Sequence, residues 1–360
     1  MVFTTSICAN YLPKAMVLAE SIKKQMPDST FVVWLLEREM PPLAAAFPFF
    51  DEVILVKDGV DYNLEHFIFR HQVIEASTAV KGDLFKYILH KYPLENKFVY
   101  LDPDVCVYAP LDELERLLDE YDIILTPHLL RECGHLLMEV SVLEHGIFNL
   151  GFLAIKRSDE AERLIKWWTD RLHRACFDLK HIGLFTDQKW FNHTMIFFNP
   201  HILRHPGYNV GPWSMMSRQI TLEGDQVLVD GQPLKFVHFS DYPDVFHDCV
   251  QYWTKAGKEI LMGLSNDYGR SLKCFDTAGL STTPWSYARY MSRNPISLFA
   301  RMKWRAKYYT GESNPYLMSE YKILGPGTYC CKIFEKMYIH FIKKHYTKTY
   351  ELLKLGDNIK

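Results

Sequence analysis

The chain has 360 residues, enough for one large domain or two ordinary ones. Hydrophobic residues make up 48% and aromatics 14%, which excludes a disordered chain, and no apolar run reaches the roughly 18 to 20 residues that span a bilayer. The net charge of −2 hides an asymmetry: from residue 281 onward there are 14 Lys/Arg against 5 Asp/Glu, and before it 27 against 38. Such a basic block can face an anionic membrane or a polyanion, or it can be a helical face docked on the acidic part. "MVFTTSICAN" has no basic segment leading into an apolar core, so no secretion signal is expected. The eight cysteines form no CxxC pair and read as reduced thiols of a cytoplasmic protein.

In chain order, "MVFTTSICA" reads as a strand, and "YLPKAMVLAESIKKQM" follows with the apolar spacing of a helix. "TFVVWLLE" and "DEVILVKD" are short, dense apolar runs, as central parallel strands are. Residues 64 to 92 read as two helices, the second starting at Lys81-Gly82-Asp83, and "KFVYLD" as a fourth strand. "YDIILTP" and "GIFNLGFLAIKR" read as further strands. "SDEAERLIKWWTDRLHRA" is an amphipathic helix with Ser158 as its N-cap. "TDQKWFNHTM" is a loop running into a helix. A hairpin around Asp230-Gly231 precedes the last short strand, "KFVHFS". The alternation predicts an α/β fold, a doubly wound and mostly parallel sheet, over residues 1–245. Residues 246–360 read as a basic, aromatic-rich helical extension.

In such sheets, ligands bind beyond the carboxyl ends of the strands. There "LDPDV" places Asp102 and Asp104. Two carboxylates one residue apart suit a hard divalent cation, Mn²⁺ or Mg²⁺, that takes phosphate oxygens as its other ligands. Asp-Pro-Asp is also an excellent turn former, and the tripeptide alone leaves both readings open. His238 ends the last strand and can complete a metal site or sit hydrogen-bonded in the core. Asp187 and Gln188 suit sugar hydroxyls or a helix cap. Asn149, inside an apolar strand, needs a protein or ligand partner. Lys81 can reach a phosphate or lie solvated.

The order and spacing of these motifs resemble those of the GT-A nucleotide-sugar glycosyltransferases. Within them, the chain looks like the family-8 group that includes glycogenin and bacterial lipopolysaccharide sugar transferases, or a bacterial neighbour of it. The resemblance covers residues 1–245 and implies a GT-A catalytic domain that moves a sugar from a nucleoside diphosphate sugar, UDP-linked, to a glycan, lipid-linked or protein acceptor. It places Thr5, Ser6 and Tyr11 at uridine-contacting positions and Lys81 facing phosphate or sugar. It makes Asp102, Asp104 and His238 metal ligands. It sets Asn149 and Gly151 of "FNLG" toward the sugar, and Asp187 and Gln188 of "TDQKWFN" near the anomeric carbon. No nucleic acid partner is expected. After His238 the group usually carries a glycine and a lysine that clamps the diphosphate; here "HFSDYPDVFHD" has neither. Tyr208, Asn209 and Trp213 of "HPGYNVGPWSM" can line a pocket or simply pack. If the reaction inverts, Glu139 and Glu144 are candidate bases. Two other classes compete: a haloacid-dehalogenase-type phosphatase with Asp102 as nucleophile and Asp104 as acid, and a non-catalytic nucleotide-sugar binder.

Overall fold

The computed structural model describes residues 1–307, 314–325, 337 and 340. Its strands are β1 (Val2–Ile7), β2 (Thr30–Leu35), β3 (Glu52–Leu55), β4 (Lys97–Leu101), β5 (Val105–Val107), β6 (Ile123–Pro127) and β7 (Phe148–Lys156). There follow β8 (Asp178–Leu179), β9 (Leu184–Phe185), β10 (His201–Ile202), β11 (Ile220–Glu223), β12 (Gln226–Val229), β13 (Gln232–Pro233) and β14 (Phe236–His238). Seven of them form the central sheet, in the order β10-β6-β7-β4-β1-β2-β3. All its pairings are parallel except the two that flank β7, which runs against both β4 and β6. This is the predicted α/β fold with a mostly parallel sheet.

Alternation along the strands explains why helices cover both faces. Phe98 and Tyr100 of β4 pack into one apolar cluster, with Leu84 and Phe85 of the helix Lys81–Lys91 and Leu164 and Trp168 of the helix Asp159–Ala175. Val99 and Leu101 pack into the other, with Leu12, Leu18 and Ile22 of the helix Leu12–Gln25. Burying each such large side chain is worth about 1.5–3 kcal/mol. Ser158 caps its helix as predicted, its Oγ accepting from the amide of Ala161 at 3.2 Å. The expected hairpin is β12–β13, with Asp230 (φ 48°) and Gly231 (φ 76°) supplying the left-handed turn. Residues 64 to 92 hold three helices rather than two, Leu64–Phe69, Val73–Ala79 and Lys81–Lys91, so Lys81 opens the third.

A small antiparallel pairing of β14 with β5 sets the site. Its register places His238 opposite Val105, directly beside the Asp102–Asp104 loop. The amide of Phe239 donates to the carbonyl of Asp104 at 2.8 Å, which fixes the crossing further.

Beyond residue 245, the helices Asp244–Trp253 and Lys258–Phe275 share a third apolar cluster with Val17, Val237 and Phe239. The Trp285 indole donates to the carbonyl of Leu36 at 3.0 Å. The helix Leu298–Lys307 carries the predicted basic-aromatic stretch, and two of its cations turn inward. Arg301 donates to the carbonyls of Phe69 and Tyr287, and Arg305 to the carbonyl of Arg70 and to Glu75. Of the two readings open for this block, docking on the rest of the protein is therefore the one this helix adopts. Of the helical extension expected over 246–360, residues 308–313 and 326–360 lie outside the described residues apart from Met337 and His340. Among the described residues, no helix is long and apolar enough to cross a membrane.

Candidate functional site

Asp102 and Asp104 follow β4 at the carboxyl edge of the sheet, and β14 delivers His238 to them. One ligand atom from each of the three lies within 4.8 Å of the others. His238 Nε2 is 3.1 Å from Asp104 Oδ1 and 3.9 Å from Asp102 Oδ2. Gly151 on β7 makes room for this convergence. A Cβ there would lie 2.4 Å from His238 Cε1 and 2.8 Å from Asp102 Oδ2. That is a positional demand for glycine of the kind expected where groups crowd a backbone.

The electrostatics are tightly cross-linked. Burial opposes ionisation of Asp104, but the His238 imidazolium and its hydrogen bond, with Lys14, outweigh it and hold the carboxyl at about 2. Burial pulls His238 down, and Asp104 more than reverses this, so its pKa is raised. Lys81 is buried. Its Nζ lies 3.1 Å from Asp102 Oδ1 and 2.9 Å from Asp187 Oδ2, and donates to the carbonyl of Leu150 at 3.2 Å. Burial alone would lower its pKa; Asp102 and Asp187 push it well above the usual range. The Tyr100 hydroxyl adds a 2.7 Å bond to Asp102 Oδ1. Lys81 thus joins two other predicted residues, Asp102 and Asp187, that are far apart in sequence.

A polar chain backs the cluster. Asn149 Oδ1 accepts from the Gly151 amide at 3.1 Å and from Asn209 Nδ2 at 3.0 Å, and its Nδ2 faces His128 Nε2 at 3.2 Å. Asn209 Oδ1 lies 3.3 Å from His238 Nδ1. Burial drives His128 down to about 3, so it is neutral. Trp213 sits edge-on to both His238 and His128. Asn209 and Trp213 are therefore site residues, whereas Tyr208 packs among Phe152 and Phe236. Gln188 Oε1 accepts from the Leu150 amide at 3.4 Å, and its Nε2 donates to the His145 carbonyl at 3.0 Å.

The first strand contributes at the same edge. Thr5 is buried, and its hydroxyl has no hydrogen-bond partner among the described residues. The Ser6 hydroxyl donates to the carbonyl of Ser77 at 2.9 Å. Tyr11 is partly exposed, and burial together with Asp104, Asp241 and Asp102 pushes its pKa to about 12. Glu139 and Glu144 lie on the helix Leu136–His145, and no hydrogen bond or ion pair joins either to the Asp102, Asp104 and His238 cluster. Sequence reasoning missed Lys14, Tyr100 and His128. Lys14 was the one most open to discovery, since it sits in the first turn after β1, at the edge where ligands bind.

Two carboxylates and an imidazole fit a divalent cation by donor type. The spacing of their atoms and the room left by Gly151 fit it too.

The fold and this cluster define an α/β protein with an acidic, histidine-containing centre at the carboxyl edge of a mostly parallel sheet. No protein-family model matches the chain. The uncharacterized protein YfnF of Bacillus subtilis (strain 168) is 30% identical over 166 residues, 43% of this chain and 52% of that protein. The chain thus spans about half the length of the curated relative it matches. Among solved structures, the galactosyltransferase LgtC in complex with donor and acceptor sugar analogs is similar with a TM-score of 0.47 and 17% identity, covering 74% of this chain and 96% of that one. The glycosyltransferase GlyE of Streptococcus pneumoniae TIGR4 is similar at TM-score 0.43 and 14% identity, covering 79% and 65%. Mouse xyloside xylosyltransferase 1 follows at 0.38 and 14%, covering 67% and 97%. Likeness of this degree fixes neither activity nor substrate for this chain.

Proposed function

We propose that the chain is a GT-A glycosyltransferase, resembling family 8, that transfers a sugar from a nucleoside diphosphate sugar, UDP-linked, to a hydroxyl of a glycan, lipid-linked or protein acceptor. The observation that carries the reading is the convergence of Asp102, Asp104 and His238 at the sheet's carboxyl edge, tied through Lys81 to Asp187. Asp102, Asp104 and His238 would hold Mn²⁺ or Mg²⁺, which when bound supplies charge neutralisation for a departing diphosphate.

The chain's own residues do the rest. Thr5, with its unpartnered hydroxyl, and Tyr11 lie where a nucleoside would enter. Lys81 and Tyr100 hold the Asp102 carboxylate in place by hydrogen bonds to its Oδ1. Asp187, ion-paired to Lys81, and Gln188, pinned by two backbone groups, orient the sugar together with Asn149. No hydrogen bond or ion pair ties Glu139 or Glu144 to the cluster, which favours retention, with the departing phosphate taking the acceptor's proton on the same face. The division at residue 245, a cytoplasmic location and a contact of the later basic residues with the inner membrane face belong to this same reading.

The phosphatase alternative gains nothing from the site, because a phosphoryl-accepting Asp102 has no use for an imidazole bound to Asp104. A panel of nucleotide sugars with Mn²⁺ tests the proposal. Release of free nucleotide diphosphate is expected with one donor, rising when the right acceptor is added. No release and no metal-dependent donor binding across the panel would reject it.

A further inference from the structure

Two ammonium groups touch the Asp102, Asp104 and His238 cluster, and they stand in opposite situations. Lys81 is buried and spent: two carboxylates and a carbonyl surround its Nζ, and it lies 4.4 Å above the Tyr100 ring. Lys14 has a single ion pair, to Asp104 Oδ2 at 3.6 Å, longer than a direct hydrogen bond. Its side chain keeps 18% of its surface exposed, and its Nζ rests 4.5 Å above the Tyr11 ring. Lys14 also lies in the first turn of the helix Leu12–Gln25, the end where the helix dipole disfavours a cation. Its place there is sustained by Asp104 and the face of the Tyr11 ring.

The ion pairs say what happens when that partner is taken. Lys81 is shared by Asp102 and Asp187, and Lys14 pairs with Asp104. A divalent cation would engage the same Asp104 carboxylate on which Lys14 rests. The ammonium it frees is the accessible one of the two. The segment after His238 offers no competing cation: residues 239–254 contain no Lys or Arg and three Asp.

The geometry points to Lys14 as the diphosphate-binding cation of this chain, held by Asp104 in the metal-free protein and released to the phosphate oxygens when metal binds. This rests on the nucleotide-sugar reading above and adds to it which residue grips the phosphates. Lys14 works in opposite directions on the two ligands, since it competes with metal for Asp104 and attracts diphosphate.

Titration calorimetry on the full-length protein and its Lys14→Met and Lys14→Arg variants tests this with Mn²⁺ alone, and with UDP and inorganic pyrophosphate at saturating Mn²⁺. Lys14→Met is expected to bind Mn²⁺ alone at least as tightly as the parent. It should lose UDP and pyrophosphate affinity about 10- to 100-fold, the scale of a charge-assisted contact. Lys14→Arg should stay within a few-fold for all three. Unchanged UDP and pyrophosphate affinity in Lys14→Met overturns the assignment. So does a parallel loss of Mn²⁺ and UDP binding, which would mark a merely structural lysine. A parent protein that binds manganese pyrophosphate but not UDP would reject the nucleotide reading, while loss of pyrophosphate in Lys14→Met would still uphold the lysine.

Discussion

The protein buries charge at its docked helix and at the edge of its sheet, and it treats the two differently. At the docked helix Leu298–Lys307, both oxygens of the buried carboxylate are matched. Glu75 accepts from Arg305 at 2.7 Å, from the Asp178 amide at 2.9 Å and from the Gln72 amide at 2.7 Å, and Arg301 ends on two backbone carbonyls. At the sheet edge, three carboxylates crowd around one buried lysine and one imidazole, and the Asp102 side chain keeps 27% of its surface open. Matched and closed charge holds a structure together; crowded and partly open carboxylates are poised for a cation. The first cluster should govern stability and the second binding.

The largest effect tests the second half of that contrast. Asp102→Ala and Asp104→Ala should each cut metal-dependent turnover by about a thousandfold, on the scale seen when a single group stabilising developing charge is removed. Both variants should stay folded by circular dichroism, because Lys81 keeps Asp187 when Asp102 is removed and Lys14 is partly exposed when Asp104 is. Near-normal turnover in both would mean the acidic cluster is not catalytic.

How far the sequence reaches can be seen within these same clusters. "TFVVWLLE", "KFVYLDPDV" and "FNLGFLAIKR" show their strand character directly, because strands buried on both faces are almost wholly apolar. Asp102 and Asp104 stand out against that background. The Lys81 ion pairs were not legible, since they join residues 21 and 106 positions away and only the packing of the helix Lys81–Lys91 against the sheet brings them together. Lys14 was missed because a lysine in a helical period reads as solvated. The inward turn of Arg301 and Arg305 was equally hidden, since a basic, aromatic stretch looks the same whether it docks on a membrane or on carbonyl groups.

Next in size is a break in the closed cluster. Glu75→Ala strands Arg305 in a mostly buried setting and should cost about 3–5 kcal/mol in a denaturant titration. Replacing both Glu75 and Arg305 with Met should cost less than Glu75→Ala alone, because no uncompensated charge remains. Manganese affinity of the folded fraction should be unchanged in both, and a shift there would erase the separation between the two regions.

Gly151→Ala offers a subtler break, because it adds one methyl group and removes no ligand. Its Cβ would collide with His238 Cε1 and Asp102 Oδ2, so the cluster must open. Metal affinity should fall about 10- to 100-fold, as when groups that orient ligands are disturbed. Unchanged affinity would show that the cluster has slack which the packing of β7 does not suggest.

The smallest effect is set by the proton that stands in for the metal. His238 is raised above 6.5 by Asp104 in the metal-free protein, so its share of stability is full below 6.5 and is lost as pH rises through the raised value. Asp104, held at about 2, contributes above 3.8 and loses its share as pH falls through about 2. Metal must displace the His238 proton. Manganese affinity should therefore weaken by about tenfold for each pH unit below the raised His238 pKa and level off above it. Calorimetry of Mn²⁺ binding from pH 8 down to pH 6 measures this slope, and His238→Gln should flatten it while lowering affinity throughout. A slope that survives in His238→Gln would assign the competing proton to another group. The closed cluster around Glu75 should show no such dependence on Mn²⁺ at any of these pH values, which makes the two regions separable in one set of titrations.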